Sequence, residues 1–154
     1  MDDAAGNQVP LAEFLRVEHL GIAVHSLDAA EPMYTRLLGV PPYKRETVES
    51  EGVVTSFFRV GPNKIELLES LNSEGPIAKF LTQRGEGLHH VAYAVEDIRA
   101  SMARLRDQGF QLLSEEPKAG ADHQWVCFLH PRSAGGLLVE LCQPRQDSGS
   151  SSVA

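Results

Sequence analysis

A repeated strand pattern constrains the fold of this chain more than any other feature. Residues 17–24 (VEHLGIAV) recur as residues 88–95 (LHHVAYAV), with His19 and His90 separated by 71 positions. Because the pattern occurs only twice, it indicates two fused copies of one supersecondary unit rather than an open array of repeats. The two copies are therefore expected to share a single core.

A second pair of apolar segments places one glutamate in each copy. Glu66 lies within residues 64–68 (KIELL), and Glu140 lies within residues 138–142 (LVELC). An ionised glutamate in the middle of a buried strand is costly unless a hydrogen-bonded cation or a metal compensates it. The sequence therefore predicts one divalent metal site, with these ligands: His19, Glu66, His90 and Glu140.

Each copy is predicted to follow a βαβββ order. Ser26 and Asp97 are suitable N-caps, and each precedes apolar residues at helical spacing. Pro32 lies past the first turn, so the first helix either begins later than Ser26 suggests or is kinked. A short helix over residues 76–83 is expected to link the copies. The strand candidates after the two helices are residues 43–48, 53–60, 64–68, 111–114, 125–129 and 137–143.

The length and composition indicate one globular domain. The chain has 154 residues, of which 42% are hydrophobic and 23% charged. The polar or small-residue ends, residues 1–12 and 145–154, are expected to be a disordered arm and tail. The domain is expected to span residues 13–144, divided into module one over 16–70, a linker helix over 75–84 and module two over 87–144.

Charge and hydropathy exclude several classes of partner. The net charge of −7 and the pI near 5.3 argue against a nucleic acid or an anionic membrane, since both require a broad basic surface. No apolar run approaches the roughly 20 residues of a membrane span, and no signal peptide is recognised, so a cytoplasmic protein is expected. Cys127 and Cys142 lie in apolar runs and are expected to be reduced core residues.

Strand alternation indicates where the predicted ligands point. His19 shares a face with Gly21 and Ala23, and His90 shares a face with Ala92. Bulky residues point to the opposite face, toward the helices. The small residues leave room for a ligand-sized cavity inside a curled sheet.

The ligand types indicate a class of chemistry. Imidazole and carboxylate without thiolate favour Zn, Co, Ni, Mn or Fe, and four protein ligands leave two positions of a six-coordinate ion open. A Lewis acid that chelates a carbonyl oxygen stabilises the enolate formed when a carboxylate removes an adjacent proton. The sequence therefore suggests a metal-dependent enzyme.

Several segments resemble the methylmalonyl-CoA epimerases, a family of the vicinal oxygen chelate superfamily. The resemblance covers about residues 16–144, and residues 75–90 are its most specific part. The segments that resemble the family are residues 19–24 (HLGIAV), 64–69 (KIELLE), 75–81 (GPIAKFL), 84–90 (RGEGLHH), 128–131 (FLHP) and 138–141 (LVEL).

This resemblance implies an α+β fold in which two βαβββ modules form an incomplete barrel, and it implies a homodimer. It also implies a divalent metal, often cobalt, bound by His19, Glu66, His90 and Glu140, with His89 the weaker histidine of its pair. The implied reaction is the interconversion of (2R)- and (2S)-methylmalonyl-CoA through an enolate, as part of propionate metabolism. Glu140 matches a glutamate that is both metal-bound and catalytic in the family.

The second catalytic base is where the chain departs from the family pattern. The family commonly has a glutamate two residues before the glycine that matches Gly52, and this chain has Ser50 there. Glu49 and Glu51 flank that position, and the spacing to Glu66 favours Glu49. Both could instead be solvated loop charges, in which case epimerase activity would not be expected.

Three other functions are alternatives, and only the first uses the same metal geometry. A glyoxalase I-like lyase acts on a glutathione hemithioacetal, but this chain has no ELTxNW-like stretch at the second ligand. A metal-free module that binds small molecules such as antibiotics need not keep the four ligands. A ring-cleaving dioxygenase would use two histidines and one carboxylate on iron, usually in a longer chain.

The remaining charged residues carry weaker expectations. The CoA phosphates have only scattered candidate cations, each expected to be a solvated surface charge: Lys44, Arg45, Lys118 and Arg132. Three histidines lack a repeat partner and are expected to be structural or exposed: His25, His123 and His130. Of these, His130 matches a family stretch that could line the substrate cleft.

Overall fold

The computed structural model describes residues 14–146, which form eight strands and three helices. The arm predicted over residues 1–12 and most of the tail predicted over residues 145–154 lie outside the described residues. The helices are α1 (Leu27–Leu38), α2 (Pro76–Arg84) and α3 (Ile98–Asp107). The strands are β1 (Phe14–Ala23), β2 (Lys44–Val48), β3 (Val53–Val60), β4 (Asn63–Ser70), β5 (Gly87–Val95), β6 (Lys118–Ala119), β7 (Gln124–Leu129) and β8 (Val139–Pro144).

The described strands form one sheet in the order β2-β3-β4-β1-β5-β8-β7-β6. Within each half, β1 runs parallel to β4 and β5 runs parallel to β8. The halves join through the antiparallel pair β1 and β5, which are the matching first strands of the two copies. The sheet curls into a half-barrel, so the predicted α+β incomplete barrel of two βαβββ modules is confirmed.

The predicted helix caps are confirmed. The Ser26 hydroxyl accepts a hydrogen bond from the backbone N–H of Ala29 at 3.2 Å, and the Asp97 carboxylate accepts one from Ala100 at 3.1 Å. Helix α1 begins directly after Ser26 and includes Pro32, so the alternative of a later start is wrong.

Bulky apolar residues lie on the sheet face that carries α1 and α3, as the alternation predicted. The cluster at α1 comprises Val24, Leu27, Phe58 and Leu67. The cluster at α3 comprises Val95, Ile98, Met102, Leu105, Cys127, Leu129, Val139 and Leu141. The small residues Ala23 and Ala92 are fully buried in separate clusters of their own. One face of the sheet is therefore packed by helices, and small side chains leave space on the other.

One predicted strand is wrong. Within this segment, only Leu112 forms an isolated bridge, to Leu129, although the backbone stays hydrogen-bonded to β7. The guanidinium of Arg106 on α3 donates hydrogen bonds to the carbonyls of Ser114 and Glu115 at 3.0 and 2.9 Å, where this pairing ends. The two-residue β6 pairs with an earlier part of β7.

Two further expectations concern burial and membranes. Cys127 and Cys142 are both buried and free, as predicted. Among residues 14–146, no helix has the length and apolar character that a membrane crossing requires.

The packing of α1 against the sheet predicts a large effect of Leu67→Ala. Leu67 is fully buried against Leu27 and Phe58, so truncation is expected to lower the free energy of unfolding by about 2–5 kcal/mol. Denaturant unfolding measures the loss. Leu37→Ala is the control, because Leu37 is 68% exposed and its truncation should change stability by less than about 0.5 kcal/mol. Equal losses in the two variants would contradict this packing.

Candidate metal centre and active site

Backbone pairing at the centre of the sheet gathers the predicted ligands. Gly21 on β1 lies in register with Glu66 on β4 and with His90 on β5. In the second copy, Ala92 lies likewise between the other two predicted ligands, one on each neighbouring strand. Residues paired across neighbouring strands project to the same face of a sheet, so the four side chains share one side.

The four side chains meet at short distances. His19 Nε2 lies 3.1 Å from His90 Nε2, 2.8 Å from Glu66 Oε2 and 3.4 Å from Glu140 Oε2. His90 Nε2 lies 2.9 Å from Glu140 Oε2 and 3.7 Å from Glu66 Oε2. All four side chains are buried. Residues from both modules therefore form one compact cluster.

These separations fit a divalent ion. Bonds of about 2.1 Å at right angles place adjacent ligand atoms about 3 Å apart. Three of the four residues, His19, His90 and Glu140, offer ligand atoms that all lie within 4.8 Å of one another. Oε2 of Glu66 also lies within 3.7 Å of Nε2 of both histidines. The geometry therefore offers four candidate ligands, two imidazoles and two carboxylates.

The cluster balances its own charge. Burial by itself would raise the pKa of Glu140, but hydrogen bonds and charge from His19 and His90 hold it well below its ordinary value. The pKa of Glu66 is lowered in the same way. Burial would lower the pKa of His90, yet Glu140 and Glu66 raise it to about 9, and they also raise the pKa of His19. Two positive groups thus face two negative groups, and a divalent ion would supply the same positive charge.

His89 lies beside the cluster without entering it. Its Nδ1 lies 2.9 Å from Nδ1 of His90, and its ring packs edge-on against Phe80. Burial and the charge of His90 lower the pKa of His89 to about 4. A neutral His89 can accept the Nδ1 proton of His90, so that Nε2 of His90 faces Glu140.

Glu18 is a buried carboxylate that the strand alternation did not predict. Alternation would place Glu18 and His19 on opposite faces, but an irregularity in the β1–β5 register lies between Val17 and His19, and both Glu18 and His19 are buried. Glu18 Oε2 contacts Nδ1 of His19, on the side of the ring away from Glu66, His90 and Glu140. The available sequence signal was a glutamate directly before a predicted ligand.

A thiol orients the carboxylate of Glu140. Cys142 Sγ lies 3.3 Å from Glu140 Oε1, and burial raises the pKa of this thiol well above its ordinary value. The protonated thiol can therefore donate to Oε1, which leaves Oε2 directed at the histidines. Strand β8 places the two side chains on one face, two residues apart.

A cavity opens beside the cluster. Residues of both modules and of α2 line it. Its apolar walls comprise Val48, Val53, Phe57, Leu68, Pro76, Ile77, Val126 and Phe128. Polar groups in the wall, besides the four clustered residues, comprise Glu18, Glu51, Thr55, His89, Asp122 and Gln124. The mixture of apolar walls and a few polar groups is typical of a small-molecule site.

The structure separates the two candidate bases. Glu49 and Glu51 lie on one 3₁₀ turn between β2 and β3, which ends at Gly52 with φ of 67°. Glu51 lines the cavity, whereas Glu49 is exposed and lies outside the cavity wall. Burial and the charge of Glu140 raise the pKa of Glu51. The geometry therefore favours Glu51, and the spacing argument that chose Glu49 selected the residue that the turn directs to solvent.

Two of the four predicted cations have acidic partners outside the cluster of His19, Glu66, His90 and Glu140. Lys44 pairs with Asp122 at 2.7 Å, and Arg45 pairs with Glu31 at 2.6 Å. Lys118 and Arg132 are exposed, and the charge of Lys118 acts on Glu51.

The three histidines without a repeat partner lie outside the cavity wall. His25 and His123 are exposed. Nδ1 of His130 accepts a hydrogen bond from the backbone N–H of Arg132 at 3.1 Å.

Comparison with known proteins identifies the family. A sequence model of the Glyoxalase/Bleomycin resistance protein/Dioxygenase superfamily matches residues 18–128. The ethylmalonyl-CoA/methylmalonyl-CoA epimerase of Cereibacter sphaeroides is 42% identical over 130 residues, which cover 83% of this chain and 97% of the relative. The chain belongs to the methylmalonyl-CoA epimerase family.

Solved structures of methylmalonyl-CoA epimerases have the same fold. The Mycobacterium tuberculosis enzyme is 33% identical with a TM-score of 0.85, and the match covers 91% of this chain and 95% of that one. A variant of the Streptomyces coelicolor methylmalonyl-CoA epimerase, in complex with 2-nitronate-propionyl-CoA, is 32% identical with a TM-score of 0.83. That match covers 86% of this chain and 99% of the other. The resemblance to the methylmalonyl-CoA epimerase family recognised in the sequence is therefore confirmed.

The close approach of Gly21 to His90 predicts the effect of Gly21→Ala. A β-carbon at Gly21 would lie 2.0 Å from Cε1 of the His90 ring, so alanine is expected to displace the imidazole. If His90 binds the metal, the affinity for Co²⁺, measured by calorimetric titration, should fall by about 10-fold or more.

A matched control is Gly75→Ala. There the added β-carbon would lie 3.4 Å from its nearest neighbour, Ser70 Oγ, at an ordinary φ of −71°. Co²⁺ affinity should stay at the wild-type value. Unchanged affinity in a folded Gly21→Ala protein would show that the observed orientation of His90 is not the one that binds metal.

Proposed function

We propose that this protein interconverts (2R)- and (2S)-methylmalonyl-CoA by removing and returning the α-proton. The observation that carries the proposal is that Glu51 and Glu140, from different modules, line one cavity beside the buried cluster. Relatives with 42% and 33% identity are named as epimerases of this substrate.

The two carboxylates suit a reaction that inverts a carbon centre. Inversion requires one group to take the proton from one face and another to deliver a proton to the opposite face. Glu51 stands on the turn between β2 and β3, and Glu140 stands on β8. Because burial raises the pKa of Glu51, this carboxylate is a stronger base than one in water. We assign Glu51, in place of Glu49, as the second base.

Four residues would hold a divalent ion, with cobalt the expected metal: His19, Glu66, His90 and Glu140. When bound, such an ion supplies a Lewis acid that stabilises negative charge on the substrate oxygens as the proton leaves. The apolar wall formed by Phe57 and Phe128 would exclude water from the reacting carbon.

Three further properties stay predictions. A homodimeric assembly and a role in propionate metabolism rest on the family resemblance, and a cytoplasmic location rests on the hydropathy of the sequence. An acyl-CoA substrate is supported by the Streptomyces coelicolor complex, whose ligand is 2-nitronate-propionyl-CoA. Lys118 is exposed and its charge acts on Glu51, so we assign it, among the predicted cations, to meet an anionic part of the substrate.

The assignment of the base predicts different effects at two neighbouring residues. In D2O, the metal-loaded protein is expected to exchange the α-hydrogen of methylmalonyl-CoA, which NMR follows. Glu51→Gln should lower the rate of epimerisation by about 10²- to 10⁴-fold, because the amide cannot accept the proton. Glu49→Gln is the matched control on the same turn and should keep the wild-type rate.

The opposite result, loss in Glu49→Gln and full activity in Glu51→Gln, would reinstate Glu49. Turnover of a glutathione hemithioacetal without turnover of methylmalonyl-CoA would instead favour the lyase. Binding of ligands with no turnover would favour a non-catalytic module.

Removal of the metal is expected to cause a reversible loss of activity. Treatment with a chelator should abolish epimerisation, and Co²⁺ is expected to restore it best among Co²⁺, Ni²⁺, Mn²⁺ and Zn²⁺. Elemental analysis of the protein before and after treatment measures the bound ion. Full activity in protein shown to contain no divalent ion would refute metal dependence.

A further inference from the structure

A series of charge pairs leads from His19 away from the cluster of histidines and glutamates. Glu18 uses one oxygen for Nδ1 of His19 and the other for Lys64 Nζ. The same Lys64 Nζ lies 2.6 Å from Asp122 Oδ2. Glu18 is 3% exposed, and the side chain of Lys64 is 12% exposed.

Asp122, at the far end of this series of charge pairs, joins the two edges of the sheet. Asp122 lies in the loop between β6 and β7 and forms part of the cavity wall. Its carboxylate pairs with Lys44 at 2.7 Å and accepts from the Tyr43 hydroxyl at 2.9 Å, while its backbone N–H donates to Glu46 at 3.2 Å. These partners lie on or next to β2, and β2 and β6 are opposite edges of the sheet. Asp122 thus bridges the half-barrel from one edge to the other.

The loop that carries Asp122 needs this support. Asp122 and His123 have φ values of 54° and 59°, in the left-handed region that non-glycine residues avoid. Such a conformation persists when surrounding contacts hold it in place. Lys44, Lys64 and Tyr43 supply these contacts at Asp122.

The contacts of Glu18 determine which nitrogen of His19 is free. A carboxylate at Nδ1 keeps the proton there and leaves Nε2 directed at Glu66 and His90. Lys64 in turn keeps the Glu18 carboxylate from being an unpaired buried charge close to two further glutamates. Glu18, His19 and Cys142 also lie close together, but Lys64 already balances Glu18. We therefore treat this side of His19 as support for the ring and not as a second metal site.

We propose that Glu18, Lys64 and Asp122 act as one positioning chain, which holds the His19 ring for metal binding and fixes residues 120–122 as a wall of the cavity. This inference rests on the proposed function, because it assumes that His19 is a metal ligand. It assigns positioning roles and no contact with the reacting atoms.

The test compares Co²⁺ affinity in the full-length protein, measured by the visible absorption of the bound ion. Glu18→Ala is expected to bind Co²⁺ about 10- to 100-fold more weakly, as for loss of a carboxylate behind a histidine ligand. Glu18→Gln keeps an acceptor oxygen and should recover part of that loss. Glu31→Gln is the matched control, because it removes an ion pair with Arg45 on the same module and should leave affinity unchanged.

Two further measurements separate positioning from general instability. In Zn²⁺-loaded protein, ¹⁵N NMR should show His19 protonated at Nδ1, and Glu18→Ala should weaken or shift that signal. Asp122→Asn changes a half-buried loop residue, so this variant is expected to fold even if Glu18→Ala does not. It should speed amide hydrogen exchange at residues 120–123 and weaken Co²⁺ binding less than Glu18→Ala does.

The outcomes distinguish the two proposals. If wild-type protein binds Co²⁺ and folded Glu18→Ala binds it equally well, the positioning chain is wrong and the metal centre stands. Unchanged exchange in Asp122→Asn would overturn the role assigned to the loop. If wild-type protein binds no Co²⁺, the metal part of the proposed function fails, and the positioning chain fails with it.

Discussion

The antiparallel pairing of β1 with β5 is the interaction on which the rest of this structure depends. It joins the two copies of the repeat through their matching strands, so that Gly21 lies beside His90 and Ala92 lies beside His19. Because both intervening residues are small, each histidine ring has room above the neighbouring strand. The parallel partners β4 and β8 then add one glutamate from each side. A single register thus builds the centre from both halves of the chain.

Burying four ionisable groups together sets the chemistry of everything around them. Each carboxylate is stabilised by two imidazoles, and each imidazole is stabilised by two carboxylates, which offsets the cost of removing them from water. The same burial raises the pKa of Glu51 and lowers that of His89, so one becomes a better base and the other stays neutral. The proposed acid–base chemistry and the proposed metal site therefore share one physical origin, the burial of these charges.

Much of the fold follows from local sequence patterns. The repeat predicted two equivalent modules, the caps at Ser26 and Asp97 predicted the helix starts, and strand alternation predicted which face is packed by helices. The wrongly predicted strand has a cause that strand periodicity does not record. Residues 111–114 pair with β7 only through an isolated bridge, and the pairing ends where Arg106 on α3 donates to the carbonyls of Ser114 and Glu115. A contact of this sort has no signature in the strand's own pattern.

The sequence by itself determined that two histidines and two glutamates occupy equivalent strand positions, since strand periodicity and the repeat are both properties of order along the chain. Only the tertiary structure decided that Glu18 is also buried and that Glu51, rather than Glu49, faces the cavity. It alone brought Asp122 to Lys64 across 58 positions of sequence. A register irregularity and a 3₁₀ turn each rotate side chains relative to regular alternation, and the closure of a curled sheet joins edges that are far apart in the chain. These effects depend on how strands meet in space, which local periodicity does not record.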